Sequence, residues 1–133
     1  MVKIIDASIG IEWFLNSPRQ QKVLDVMEEV LKSPRSFAVP ELFFFELTHV
    51  FHRVIPTPTK KQLGLFEGVM KFGLQRFSMS SELFREVRKF QARGLSGYDS
   101  AYVALAKLLH GKWITLDQKA HSKIEDLKLS EVL

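Results

Sequence analysis

Residues 2–15 read VKIIDASIGIEWFL, an apolar run that ends in an acid and continues with helical spacing. The run at residues 2–5 is typical of a buried strand, and the apolar residues after it recur on one face of a helix. We therefore predict a strand, a turn and a helix over residues 7–15. Asp6 is then expected at the carboxyl end of the first strand.

The rest of the chain continues this alternation of short apolar strands and amphipathic helices. Further strands are predicted at 37–39, 77–79, 113–115 and near 129–133, and helices at 18–32, 40–55, 59–75, 80–92, 98–111 and from 117. This order indicates an α/β fold: a central, mostly parallel sheet of four or five short strands flanked by helices. Ligands of such sheets bind beyond the carboxyl ends of the strands.

Length and composition point to one globular unit. A chain of 133 residues has the size of a single domain, and we expect residues 1–133 to form one. Apolar residues make up 46% of it, which argues against disorder. There is no cysteine, which excludes disulfides and thiolate metal sites and suits a reducing cytoplasm. Since no apolar stretch approaches the roughly 20 residues of a membrane span, we expect a soluble, cytoplasmic protein.

The charge balance suggests an anionic partner. The formal net charge is +4 and the sequence pI is about 9.4. The basic residues that lie mostly apart from the acids discussed next are Lys60, Lys61, Arg85, Arg88, Lys89, Arg93, Lys119, Lys123 and Lys128. A basic rim around an acidic centre suits a polyanion held over a cation.

Four acids interrupt apolar sequence and are the candidate metal ligands: Asp6, Glu46, Asp99 and Asp117. A buried carboxylate is unfavourable unless it is paired, protonated or bound to a cation. Four carboxylates near one another would repel, and a bound divalent cation is the simplest way to balance their negative charge. Oxygen ligands favour Mg²⁺ or Mn²⁺, which polarises a phosphodiester and activates water.

Each acid also has a purely structural explanation. The first and last of the four suit helix N-caps, for which aspartate is favoured. Ser96 and Asp99 fit a capping box before an apolar helix. Glu46 has no helix-end role, and its structural alternative is a salt bridge to Arg53. Capping and metal binding can coexist, so the sequence alone leaves both open.

Four segments together resemble the PIN-domain family, and within it the VapC-like toxins of prokaryotic toxin–antitoxin pairs. They are IIDASIGIEWFL at 4–15, VPELFFFELTHVF at 39–51, GLSGYDSAYVALA at 94–106 and WITLDQKA at 113–120. The resemblance implies that the four acids form the family's metal-binding quartet, with Ser8 and Thr115 as supporting hydroxyls. It also implies a metal-dependent ribonuclease, a homodimer, and a cognate antitoxin that enters the active-site groove.

Departures from the family pattern are modest, and three other functions compete. Glu12 stands where many relatives carry a basic residue, and we interpret it as an exposed helix residue rather than a fifth acid. A catalytically silent RNA- or protein-binding module is the main alternative. An aspartyl-phosphate phosphatase usually has a second aspartate two residues after the first, where this chain has Ser8. A di-iron bundle needs two Glu-x-x-His motifs, and only Glu46 to His49 supplies one.

Overall fold

The computed structural model describes residues 1–15 and 21–133 and is built around a five-stranded sheet. The strands are β1 (Lys3–Ile5), β2 (Phe37–Pro40), β3 (Gln75–Phe77), β4 (Lys112–Thr115) and β5 (Ser130–Val132). Their order is β3-β2-β1-β4-β5, and every neighbouring pair is parallel. The prediction of an α/β fold with a mostly parallel sheet is confirmed.

Helices fill the connections between these strands. They are α1 (Ala7–Gly10), α2 (Gln21–Lys32), α3 (Leu42–Val54), α4 (Lys60–Val69), α5 (Ser81–Gln91), α6 (Gly97–Leu108) and α7 (Gln118–Ser122). Short 3₁₀ turns cover Ile11–Phe14, Pro34–Ser36 and Glu125–Leu127. The predicted start of the second helix at Pro18 lies outside the described residues. No helix in the described part of the chain is long and apolar enough to cross a bilayer.

Local capping residues set most of the helix starts. Thr59 and Gln62 form the predicted capping box of α4, each side chain bonding the other's backbone N–H. Helix α4 nevertheless ends at Val69, earlier than the predicted 75. Gly73 has a φ of +97°, a left-handed conformation that favours glycine, and the chain turns there into β3. Strand β3 therefore begins at Gln75, two residues before the predicted start.

Helix α6 is the centre of the core. Residues 100–106 of it are all buried, and the helix contacts α5 and the strands β1, β2 and β4. Such all-round burial explains why this segment reads as continuously apolar rather than amphipathic. A second apolar group consists of Phe14, Phe51 and Phe66, whose rings pack with centroids 5.1–5.6 Å apart. This group attaches α3 and α4 to the first 3₁₀ turn.

We predict that the close approach before β4 makes Gly111→Ala destabilising. A Cβ atom at Gly111 would lie 2.2 Å from the carbonyl oxygen of Val2, which is backbone and cannot move aside cheaply. We expect the free energy of unfolding to fall by about 1–3 kcal/mol in a urea titration. The matched control is Gly64→Ala in α4, where nothing lies within 4 Å of the added carbon. That variant should gain about 0.5–1 kcal/mol; equal stability of the two variants would contradict the prediction.

Candidate active site

The four candidate acids line one groove at the carboxyl edge of the sheet. Asp6 directly follows β1, and Asp117 lies two residues beyond the adjacent parallel strand β4. Glu46 comes from α3 and Asp99 from the first turn of α6. All four border a cavity of about 400 Å³, which we call the acid groove. Four elements that are distant in sequence thus bring their carboxylates to one place.

Asp6 is the most buried of these acids, with 6% of its surface exposed. Its Oδ1 accepts hydrogen bonds from the backbone N–H of Ser8 (3.0 Å), the Ser8 hydroxyl (2.5 Å) and the Ile9 N–H (3.4 Å). Its Oδ2 accepts one from the indole N–H of Trp113 (2.9 Å). Burial raises the pKa of Asp6, and these donors oppose that rise. Asp6 therefore caps α1, as its structural explanation predicted, and faces the groove as well.

The two predicted supporting hydroxyls connect the turn after β1 to the turn after β4. Ser8 Oγ accepts a hydrogen bond from the Leu116 N–H (3.1 Å) and lies 3.4 Å from Thr115 Oγ1. Thr115 Oγ1 in turn accepts from the N–H of Asp117 (3.0 Å). The positions of Asp6 and Asp117 are thereby coupled through two side chains, one of which, Thr115, is fully buried.

Glu46 is half-buried and is held by a residue that sequence reasoning missed. The hydroxyl of Tyr102 donates a hydrogen bond of 2.6 Å to Glu46 Oε1. Burial raises the pKa of Glu46, the Tyr102 bond lowers it, and the charges of Asp6 and Asp99 raise it further. The alternative salt bridge to Arg53 is not among the ion pairs of residues 1–15 and 21–133, although Arg53 lines the same groove.

Asp117 caps α7 while lying at the groove, whereas Ser96 is the cap of α6 and Asp99 follows it in the first turn. The N–H of Asp99 donates to Ser96 Oγ (3.0 Å), and Asp117 Oδ1 accepts from the N–H of Ala120 (2.9 Å). Burial raises the pKa of Asp99, the charge of Asp117 raises it further, and Ser96 and Lys123 oppose the rise. The carboxylate of Asp117 is therefore close enough to disfavour the charged form of Asp99.

The interpretation of Glu12 as an exposed residue is wrong. Its side chain is buried, with 4% exposed, and it lines the acid groove as a fifth carboxylate. The physical reason is the tight 3₁₀ turn over Ile11–Phe14, all four of whose residues are buried, so this turn has no face toward solvent. The flanking apolar residues, Ile11 on one side and Trp13-Phe14 on the other, were the available sequence signal.

The donor set suits a hard divalent cation that keeps part of its water shell. Every acid at the groove offers carboxylate oxygen, and the pKa values of Glu46 and Asp99 are raised in part by neighbouring negative charge, which a cation would relieve. Among residues 1–15 and 21–133, no three His, Cys, Asp or Glu side chains are grouped closely enough to hold one ion directly. Mg²⁺ commonly binds through one or two carboxylates with several waters, which fits this spacing.

A second depression, of about 410 Å³, adjoins the acid groove on the side of Asp99 and Asp117. It shares those two acids with the groove and adds Lys119 and Lys123, so we call it the lysine pocket. Lys123 Nζ donates to the carbonyl oxygen of Gly94 (2.9 Å). The sequence predicted a rim of nine basic residues around the acids. In the described structure, Lys119 and Lys123 are the members of that rim that share a pocket with candidate acids.

Several solved structures have the same fold, and one of them is described as a toxin–antitoxin complex. The chain aligns with VapBC2 from Rickettsia felis bound to a DNA fragment from their promoter, at a TM-score of 0.72 and 14% identity, covering 100% of this chain and 99% of that one. It aligns with a toxin–antitoxin complex from Klebsiella pneumoniae at a TM-score of 0.69 and 16% identity, covering 98% and 95%. It aligns with FitAcB from Neisseria gonorrhoeae at a TM-score of 0.66 and 10% identity, covering 99% of this chain and 96% of that one. At these identities the alignments establish the fold.

Family membership rests on a separate sequence comparison. No match was found among curated protein sequences. The family model described as PIN domain, however, matches residues 3–127, which include all four candidate acids, both supporting hydroxyls and the strands β1 to β4. The resemblance inferred from the four sequence segments is thus confirmed, and this chain belongs to the PIN domain family.

Proposed function

We propose that this protein is a Mg²⁺- or Mn²⁺-dependent endoribonuclease, the toxin of a toxin–antitoxin pair, that hydrolyses RNA phosphodiesters. The observation that carries the proposal is the meeting of Asp6, Glu46, Asp99 and Asp117 in one groove at the sheet edge. Membership of the PIN domain family supports nuclease chemistry, and the toxin–antitoxin proteins with this fold support the biological role. Residues 1–133 would act as one nuclease domain.

In this mechanism the chain holds the reacting groups in place. When bound, the divalent ion polarises the phosphodiester and makes water nucleophilic at neutral pH. Asp6 offers the electron pair of Oδ2 that Trp113 leaves free, because Oδ1 is already occupied by donors from Ser8 and Ile9. Trp113 fixes the direction of Oδ2, and Tyr102 does the same for Glu46.

The remaining two acids complete the proposed ion site. Asp99 and Asp117 would bind the ion directly or through water, with Ser8 and Thr115 keeping the two strand ends in register. Glu12 lines the same groove as a further carboxylate. The groove is open enough for an RNA backbone to approach these carboxylates, and Arg53 on its wall would contact phosphate.

The proposed partners follow from the resemblance to VapC-like toxins, and the toxin–antitoxin complex that shares this fold supports the antitoxin. A cognate antitoxin would place a segment in the acid groove and block RNA, and two copies of the chain would form a homodimer. We place the protein in the cytoplasm, where RNA is available and where a chain without cysteine loses nothing to a reducing environment. The competing function is a silent RNA- or protein-binding module in which the acids serve as helix caps; metal binding separates the two.

We predict that Asp99→Asn abolishes RNA cleavage while the fold survives. The amide keeps the backbone N–H that bonds Ser96 and removes the negative charge at the groove. We expect cleavage of a labelled single-stranded RNA to slow by roughly 10²-fold or more, with an unchanged far-UV circular dichroism spectrum. Asp25→Asn, on the exposed face of α2, is the matched control and should cleave like the wild type. Full activity of the Asp99 variant would refute its assigned role.

We also predict a stoichiometric divalent-ion site whose affinity depends on pH. Calorimetric titration with Mn²⁺ should show binding at neutral pH, and a chelator should stop cleavage. Since the pKa values of Asp6, Glu46 and Asp99 are raised, protons compete with the ion at a pH above the ordinary carboxyl range of about 4. The Mn²⁺-induced rise in Tm should therefore shrink as the buffer is acidified toward that range.

The ion-free protein should respond to acid in the opposite sense. A carboxyl whose folded pKa is raised binds its proton more readily when folded, so the ion-free protein gains stability from these groups as pH falls through their folded pKa values.

The control for the divalent-ion site is the Asp6→Asn variant. Its Mn²⁺-induced rise in Tm should be smaller than that of the wild type at every pH. A wild type without any Mn²⁺ site would favour the silent module.

We predict that the lysine pocket binds phosphate of the RNA backbone. Replacing Lys119 and Lys123 together by Gln should weaken RNA binding and reduce the slope of log affinity against log salt by about 0.7 for each lost phosphate contact. Binding would be followed by fluorescence anisotropy at several salt concentrations. Lys71→Gln is the control, because Lys71 precedes β3 and so lies toward the opposite edge of the sheet. An equal salt slope in the double variant and the wild type would contradict this.

A further inference from the structure

Two large aromatic side chains beside the acid groove are exposed to solvent. Phe45 is 73% exposed and Tyr98 is 63% exposed. Each directly precedes a candidate acid, Phe45 on α3 before Glu46 and Tyr98 on α6 before Asp99. Both rings line one depression of about 450 Å³, which we call the aromatic pocket. Single exposed aromatic side chains are common on protein surfaces, whereas two that line one pocket form an apolar patch that is typical of a binding site.

Core packing accounts for the neighbours of Phe45 but not for Phe45 itself. In the run of three phenylalanines, Phe43 is fully buried, and Phe44 is buried beneath the guanidinium of Arg76, 4.1 Å from its ring centroid. The ring of Phe45 points away from these two buried rings and is exposed. In the described part of the chain, no aromatic pair includes Phe45 or Tyr98. The two rings therefore present their surfaces to whatever enters the pocket.

The aromatic pocket adjoins the acid groove. Glu46 and Val50 line both, so an occupant of the pocket sits next to anything bound at the candidate acids. The lysine pocket lies on the other side of the groove and shares Asp99 and Asp117 with it. Three depressions thus form one continuous surface in the order aromatic, acidic, basic. A strand whose phosphate is at the acids would have a neighbouring base near the rings.

We propose that Phe45 and Tyr98 form a stacking site for an unpaired nucleobase next to the phosphodiester that is cleaved. This inference rests on the proposed function and deepens it, because it names the residues that would hold a base beside the phosphodiester that is cleaved. Stacking accepts any base, since every base has a π face. His49 also lines the pocket and adds a ring nitrogen that can bond the edge of a stacked base.

The position of the pocket favours a base as its occupant. Glu46 and Val50 line both the aromatic pocket and the acid groove, so a group that covers Phe45 and Tyr98 lies within reach of the candidate acids. A base is flat and thin, and it can lie against the rings while the carboxylate stays open toward the groove.

The test measures binding of a short single-stranded RNA that carries one fluorescent 2-aminopurine. It uses the Asp99→Asn protein in Mn²⁺, so that cleavage does not intervene. Phe45→Ala and Tyr98→Ala should each weaken binding at least about fivefold and reduce the stacking-induced quenching of the probe. Phe45→Tyr and Tyr98→Phe should retain both. Phe84→Ala, which removes an exposed ring from α5, is the control and should bind normally.

The outcomes distinguish this inference from the proposed function. Alanine variants that bind as tightly as the Asp99→Asn parent, while the wild type cleaves RNA, overturn the stacking site alone. A wild type that neither binds nor cleaves single-stranded RNA overturns the proposed function and the stacking site together. If Phe45→Ala halves the mass in sedimentation and leaves RNA affinity unchanged, the occupant is a second copy of the chain and the proposal fails. Equal loss of affinity for a fully paired duplex also contradicts it.

Discussion

The buried carboxylate of Asp6 is the constraint on which the rest of the structure depends. A charged group with so little exposure is tolerated only where donors surround it. Three of the hydrogen bonds come from Ser8 and Ile9 in α1, directly after β1, and a fourth comes from Trp113 in β4. Asp6 therefore fixes the two central strands relative to each other at the edge where the groove lies.

Two stacked aromatic rings extend this constraint to the second carboxylate. Trp113 bonds Asp6, Tyr102 bonds Glu46, and the two rings lie 6.1 Å apart with an interplanar angle of 13°. Both rings are fully buried in the core that α6 forms with the sheet. The separation of the two acids is therefore set by the packing of large rigid groups rather than by flexible surface side chains. An arrangement of like charges that opposes stability is held in place by the core.

The sequence allowed the fold and much of the site to be predicted because those features are local. Alternating apolar runs and capping residues such as Thr59 depend on neighbours a few positions away, and parallel strands bring Asp6 and Asp117 to one edge. Tyr102 and Trp113 escaped prediction because their partners are 56 and 107 residues away. Glu12 was misread because a helix of ordinary pitch offers an exposed face, whereas the 3₁₀ turn that forms there does not.

The structure also separates what fixes the acids from what would recognise RNA. The groups that orient Asp6 and Glu46 are buried in the core, so a change there alters stability and site geometry together. Phe45 and Tyr98 are exposed, as is Lys119, and none of the three orients another site side chain through a hydrogen bond in the described chain. Substitution at these surface positions leaves the carboxylates where they are. Substrate preference can therefore change at the rim of the groove while the arrangement of acids, and the chemistry proposed for it, is retained.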